Sequence, residues 1–298
     1  MNIGLKIGTR GDALGVARAQ PVASALGAEI VIIASEVDRS SSSRSLEGLD
    51  SSVDALRDAI LTGEVDAVVH AYSDLPVALT GRSIAAVPRR ADVRDALYAH
   101  DGTPLAELPP GSRVGAGSPL RRAQLLSRRS DLEVVELLGN AEYGLGQVDS
   151  NGAERHLDAV VLAAADLDVL GRLDAATEYL GIDGWPTSPA QGAIAIETRV
   201  GDEKLVSKLD HKSSRLTADA ERAVLALLEG HRVAPIGAHA ILDDGLLFLS
   251  ARAYRDDGSE QLTSSHALYP EDSSDPVGEL SRRVADELLA GGASGFAQ

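Results

Sequence analysis

The stretch Asp66–Pro76 reads DAVVHAYSDLP. It opens with a short apolar run, Ala67-Val68-Val69, passes to a polar tip of His70, Tyr72, Ser73 and Asp74, and stops at Pro76. A short apolar run bounded by turn signals reads as a strand buried on both faces. In open α/β sheets, ligands bind beyond the carboxyl ends of such strands. Asp74 therefore either stands where chemistry is done or caps a turn before Pro76. This stretch alone leaves both readings open.

The phrase returns at Asp158–Leu167, DAVVLAAADL. The overlay repeats Asp-Ala-Val-Val, matches Ala71 with Ala163, and sets Asp74 opposite Asp166. A second pair agrees with it: Ile7–Leu14, IGTRGDAL, resembles Val114–Leu120, VGAGSPL. Each is a strand end, a small-residue turn and a helix start. Two matched strand–turn–helix sets predict two similar α/β lobes, with the cleft between them as the ligand site.

The chain has 298 residues, enough for two or three domains. Apolar residues make up 44% and aromatic residues 3%, so the cores rest on Ala, Val, Leu and Ile. No run reaches the length of a membrane span, and the N-terminus carries no apolar signal core, so a cytoplasmic location is expected. The absence of cysteine excludes disulfides, thiolate metal sites and a cysteine nucleophile. The histidines are scattered without metal-ligand spacing, and the turn Gly8–Gly11 lacks the spaced glycines of a dinucleotide site. A net charge of −17 disfavours nucleic acid and anionic membrane as partners, although local arginines still admit a small anion.

Strands are expected at Ile3–Ile7, Glu29–Ala34, Ser83–Val87, Arg113–Gly115, Leu132–Leu137 and Gly192–Glu197. Asp12 is placed to cap a helix that Pro21 should kink. Asp38–Ser52 reads as a Ser-rich loop, Pro104–Pro110 as a hinge, and the chain after Leu137 as a loop that runs through Gly152 to the strand at Asp158. Thr217–Leu228 reads as an amphipathic helix with Glu221 and Arg222 on its exposed face. Three short strands and a helix, Pro276–Leu289, complete the C-terminal region. The expected division is residues 1–100 with 189–210, residues 101–188, and residues 211–298.

Seven stretches in order resemble one family: IGTRGDAL (Ile7–Leu14), HAYSDLP (His70–Pro76), RRADVRDAL (Arg89–Leu97), VGAGSPLRRAQL (Val114–Leu125), LLGN (Leu137–Asn140), SPAQGAIAIETR (Ser188–Arg199) and ERAVLALLEG…PIGAHA (Glu221–Ala240). The family is porphobilinogen deaminase, also called hydroxymethylbilane synthase, of tetrapyrrole biosynthesis. The resemblance implies two α/β lobes similar to periplasmic binding proteins around a cleft, plus a small α/β third domain. It implies condensation of four porphobilinogen molecules with release of ammonia, on a dipyrromethane primer held by a cysteine thioether. It further implies an aspartate that assists ammonia loss and stabilises the cationic pyrrole, and Arg and Lys side chains that bind acetate and propionate groups. Guanidinium forks suit such carboxylates.

Carried over residue by residue, the resemblance puts the catalytic aspartate on Asp74, a cleft arginine on Arg10, and the second of two paired arginines on Arg121. A shift of one residue would put the pair on Arg121 and Arg122 instead. Asp12, Ser73, Ser118 and Asn140 fall on further binding positions, and the turns before both helices offer helix N-termini to an anion. The departures are many. The primer cysteine falls on Arg232, lysine on Ser73, arginines on Leu120, Leu138 and Gly144, and serine on Asp12, which would repel a carboxylate. A hydrogen bond to a charged group is worth roughly 1.5–3 kcal/mol, so these losses remove on the order of 5–10 kcal/mol if additive.

Two readings follow. One is a hydroxymethylbilane synthase with a degenerate site and no covalent primer. The other is a non-catalytic cleft protein that binds a small anionic, pyrrole-type ligand or a partner protein. A monomer is expected, and an Asp74–Arg10 ion pair is the structural alternative to a catalytic Asp74.

Overall fold

The computed structural model describes residues 4–34, 46–76, 82–149, 157–229 and 235–296. Its strands are β1 (Lys6–Thr9), β2 (Glu29–Ile32), β3 (Ala67–Ala71), β4 (Arg82–Ala86), β5 (Asp95–Ala99), β6 (Arg113–Ala116), β7 (Glu133–Glu136), β8 (Ala159–Ala163), β9 (Glu178–Leu180), β10 (Ile194–Arg199), β11 (Ile236–Asp243), β12 (Leu246–Tyr254) and β13 (Gln261–Leu268). Its α-helices are α1 (Ala13–Leu26), α2 (Leu46–Thr62), α3 (Pro119–Arg128), α4 (Ala141–Asp149), α5 (Ala164–Val169), α6 (Lys212–Glu229) and α7 (Pro276–Ala290).

Two compact units arise. The first comprises Met1–Ala91, Asp168–Gly171 and Gly192–Arg215; the second comprises Asp92–Leu167, Arg172–Gln191 and Leu216–Gln298. The first holds a sheet of order β2-β1-β3-β10-β4, in which β1 runs parallel to β2 and β3, and β10 runs antiparallel to β3 and β4. Ala67, Val68 and Val69 are buried as their apolar run predicts. Val68 packs with Leu56, Ala59 and Ile60 of α2, while Ala67 and Val69 pack with Ala19, Val22 and Ala23 of α1. This two-sided burial explains why the strand lacks polar alternation.

The second unit repeats the plan. Its larger sheet has the order β7-β6-β8-β5-β9, with β6 parallel to β7 and β8, and β5 antiparallel to β8 and β9. The repeat extends to single bonds. Gly8 sits beside Val68, and Gly115 beside Val160. A Cβ on Gly8 would come 2.8 Å from Val68 Cγ1, and one on Gly115 would come 2.7 Å from Leu157 Cδ1. The Lys6 amide donates to Asp66 Oδ2 at 2.8 Å, and the Arg113 amide to Asp158 Oδ2 at 2.8 Å. The DAVV phrase is thus a strand whose leading aspartate fixes the start of its neighbour.

The antiparallel sheet β11-β12-β13 also belongs to the second unit, and α6 and α7 cover it. Ala220, Val224, Leu228, Leu249, Ala251, Leu280 and Val284 make its core.

Several expectations change. The first lobe was expected to reach residue 100, but β5 pairs with β8 and β9, so the chain has left the first sheet by Asp95. Pro104–Pro110 is no hinge: Leu105 and Leu108 are buried in the second unit's core, and Arg129 donates to the carbonyls of Leu105, Ala106 and Leu108. The chain instead passes between units at Ala91–Asp92, Leu167–Asp168, Gly171–Arg172, Gln191–Gly192 and Arg215–Leu216. The helix with Pro21 runs on to Leu26. Residues 38–45 of the expected Ser-rich loop lie outside the described residues, and its remainder is the start of α2. Residues 141–149 form α4 rather than loop, and Gly152 lies outside the described residues. Glu221 and Arg222 are buried, not exposed. Glu221 is covered because the amides of Ala190 and Ala240 donate to its two oxygens at 2.6 and 2.8 Å. His239 Nδ1 lies 3.6 Å from Glu221 Oε1.

Candidate functional site

In the first unit, β3 ends at Ala71 and the chain turns through a single 3-10 turn, Tyr72–Asp74. Tyr72 and Leu75 are buried on either side of it, and the Tyr72 amide donates to the Ala193 carbonyl at 2.9 Å. These anchors leave Ser73 and Asp74 exposed at the carboxyl end of the strand. Ser73 Oγ donates to Asp74 Oδ1 at 3.2 Å. Asp74 makes no ion pair with Arg10. Arg10 Nη2 instead binds Asp12 Oδ2 at 3.0 Å.

Asp12 has two tasks. Its Oδ1 accepts from the Gly15 amide at 3.0 Å, which caps α1, and its Oδ2 holds Arg10. Gly15 must be glycine here, since a Cβ would come 2.7 Å from Asp12 Oδ1. The N-terminus of α1 therefore already faces a carboxylate of its own chain, which overturns the expectation that it is open to an anion.

Beneath the Asp74 turn lies a buried charged group. Glu197 of β10 is fully buried, with Oε2 lying 3.1 Å from His70 Nε2 and 3.4 Å from Arg57 Nε of α2. Burial alone would raise the Glu197 pKa. His70 and Arg57 outweigh it and hold the carboxyl below its usual range. His70 is thus a strand-end histidine held against a buried carboxylate.

In the second unit, Ser118 caps α3 by accepting from the Arg121 amide at 3.2 Å. The Arg121 side chain turns back to Asp95 of β5, with Nη2 to Oδ1 at 2.7 Å and Nε to Oδ2 at 3.2 Å. Trp185 Nε1 donates to Asp95 Oδ2 at 2.9 Å, and Gln191 Nε2 to Asp95 Oδ1 at 2.9 Å. Gln191 Oε1 accepts from Arg121 Nη2 at 3.2 Å. Burial pulls the Arg121 pKa down, but the Asp95 carboxylate more than offsets it, so the guanidinium stays charged. These bonds use Nε and Nη2. Nη1 is left beside the turn at Gly117, 4.0 Å from where a Cβ on that glycine would sit.

The other residues expected at the site diverge. Arg122 lies along β7, with Nη1 3.4 Å from the Val134 carbonyl, so it does not join Arg121. Asn140 caps α4 by accepting from the Tyr143 amide at 2.9 Å. Leu120 is buried against Ala123 and Tyr254. Leu138 is 52% exposed. Gly144 lies against Leu137, Val160 and Leu162, where a Cβ would meet Leu137 Cδ2 at 3.0 Å, so a side chain there requires Leu137 to shift. Arg232 lies outside the described residues. Asp95, Gln191 and Glu197 all occur in the quoted stretches, but spacing along the chain gave no sign that they are buried and bonded. Among the described residues no cluster of three or more His, Asp or Glu is set to hold a metal, and no helix is long and apolar enough to cross a membrane.

A duplicated α/β protein emerges, with its candidate side chains at the carboxyl ends of equivalent strands. Residues 5–207 match the family described as "Porphobilinogen deaminase, dipyromethane cofactor binding domain". The chain is 45% identical to the porphobilinogen deaminase of Leifsonia xyli subsp. xyli, over 98% of this chain and 94% of that one. It is 40% identical to that of Corynebacterium efficiens, over 97% and 98%, and 43% identical to that of Mycobacterium tuberculosis, over 97% and 97%. The chain belongs to the porphobilinogen deaminase family. Among solved structures, an arginine-specific periplasmic binding protein of Salmonella typhimurium is similar at 16% identity and a TM-score of 0.40, over 70% of this chain and 92% of that one.

Proposed function

We propose that this chain acts on porphobilinogen, in the condensation of four units with release of ammonia that gives hydroxymethylbilane, at a site reduced relative to its family. The observation that carries this is Asp74. It stands exposed at the carboxyl end of β3, held by the buried Tyr72 and Leu75, with Ser73 as its hydrogen-bond donor. A carboxylate so placed stabilises the ammonium of the leaving aminomethyl group and the cationic pyrrole left behind. Arg121, kept charged and oriented by Asp95, is the proposed anchor for a pyrrole carboxylate.

The residues present do not fit a dipyrromethane held through a thioether. The chain has no cysteine, and leucine and glycine stand at Leu120, Leu138 and Gly144, where the family resemblance implies arginines. Arginine is no substitute nucleophile at neutral pH. The reaction is therefore proposed to run without a covalent primer.

A second reading, binding of a small anionic pyrrole without turnover, draws support from Arg10. Its charge is already met by Asp12, so one expected carboxylate contact is weakened. Ammonia release from porphobilinogen, measured for the wild type and for Asp74→Asn, separates the two. The first reading expects release that falls about 100-fold or more in the variant. Binding of porphobilinogen with no ammonia release from either protein would establish the second.

A further inference from the structure

The face of α6 that bears Glu221 leads, through one strained residue, to Arg121. Glu221 is fully buried, and its Oε2 accepts from the Ala190 amide at 2.6 Å. Ala190 has a φ of 64°, in the left-handed region that residues with a Cβ disfavour. The next residue, Gln191, donates to Asp95 Oδ1 and to the Val93 carbonyl, both at 2.9 Å, and accepts from Arg121 Nη2 at 3.2 Å. The other Glu221 oxygen accepts from the Ala240 amide of β11 at 2.8 Å. One carboxylate thus fixes the backbone conformation that aims Gln191 at the Asp95–Arg121 pair.

We infer that Glu221 is a positioning residue for Arg121. By holding Ala190 in its left-handed conformation, it seats the Gln191 amide between Asp95 and Arg121, so that the guanidinium presents Nη1 beside Gly117. A carboxamide at this position offers one acceptor oxygen for two backbone amides, so Ala190 or Ala240 is left without its partner. This role rests on Arg121 being the carboxylate anchor for porphobilinogen.

Trp185 makes the idea testable without reference to turnover. It is the single tryptophan, it is fully buried, and its indole N–H donates to Asp95 Oδ2. Its one indole resonance therefore reports the Asp95–Arg121–Gln191 cluster. The full chain is prepared as wild type, Glu221→Gln, Ala190→Gly and the double variant. Indole hydrogen exchange is followed by NMR, alongside kcat and KM for porphobilinogen.

In Glu221→Gln the indole signal is expected to shift and to exchange ~10-fold faster. KM is expected to rise about 10-fold while kcat changes less than about 2-fold, as loss of an anchor requires. Glycine adopts positive φ without a Cβ penalty, so Ala190→Gly is expected to restore the indole signal and KM in the Glu221→Gln background. A folded Glu221→Gln with an unchanged indole signal would overturn the inference, and so would a disturbed signal that glycine does not restore. If Glu221→Gln fails to fold, a folded double variant with the wild-type indole signal supports the role. A double variant that also fails to fold makes Glu221 purely structural and overturns it. Should the wild type neither bind nor convert porphobilinogen while the indole cycle holds, the proposed ligand is wrong and the positioning of Arg121 stands.

Discussion

Leu138 leaves half its surface in solvent, whereas Gly144 lies against Leu137, Val160 and Leu162. Both stand where the family resemblance implies arginine, yet they should respond to its return in opposite ways. Leu138→Arg is expected to leave the unfolding free energy within about 0.5 kcal/mol and to tighten porphobilinogen binding by up to about tenfold. Gly144→Arg overpacks the face of α4 and is expected to lower stability by about 1–3 kcal/mol, read by chemical denaturation. Glu197 makes a prediction of a different kind. Its carboxyl is held below the usual range in the folded chain, so it stabilises the fold above about pH 4.5, and that stabilisation is lost as pH falls through the lower folded value. Glu197→Gln leaves Arg57 buried without its counter-charge and is expected to cost about 3 kcal/mol near neutral pH. The gap between variant and wild type should narrow as pH falls from about 6 to about 3. A gap independent of pH would show that Glu197 is not charged in the folded chain.

At the scale of elements, the repeated DAVV phrase was legible because it is local. An apolar run, its leading aspartate and the turn after it all lie within eleven residues, and the two sheets carry the phrase at equivalent strands. The aspartates themselves are open to test. Asp66→Asn and Asp158→Asn each weaken a carboxylate bond to a backbone amide at the mouth of the neighbouring strand, and Asp66→Asn also removes the charge that Arg199 Nη2 faces at 3.6 Å. Each is expected to cost about 1 kcal/mol, and the two costs should agree within about 0.5 kcal/mol if the repeat holds in energy as it does in register. Other features were not legible. Helix α4 contains two glycines, which hid a pattern that Ala141, Leu145 and Val148 keep and that the Asn140 cap announces. Glu221 read as exposed because charge on an amphipathic helix normally faces water. Only the tertiary structure supplies the amides that make a buried carboxylate stable there.

At the scale of the molecule, order and spacing of the seven stretches pointed to the family, and full-length relatives at 40–45% identity agree. Domain edges were harder. A strand such as β5 joins whichever sheet offers it a partner, and its sequence does not name that sheet. The candidate site was legible in its residue types but not in its bonding. Asp74 is exposed at the carboxyl end of β3, while Arg10 and Arg121 are each held by a carboxylate that spacing did not reveal. The central claim is that porphobilinogen chemistry here proceeds without a covalent primer. Its most direct test is to incubate the purified chain with porphobilinogen, following ammonia release together with the intact mass of the protein. The account predicts ammonia release with the mass unchanged from that of the polypeptide. A stable mass increase on the protein, or porphobilinogen bound with no ammonia released, would contradict it.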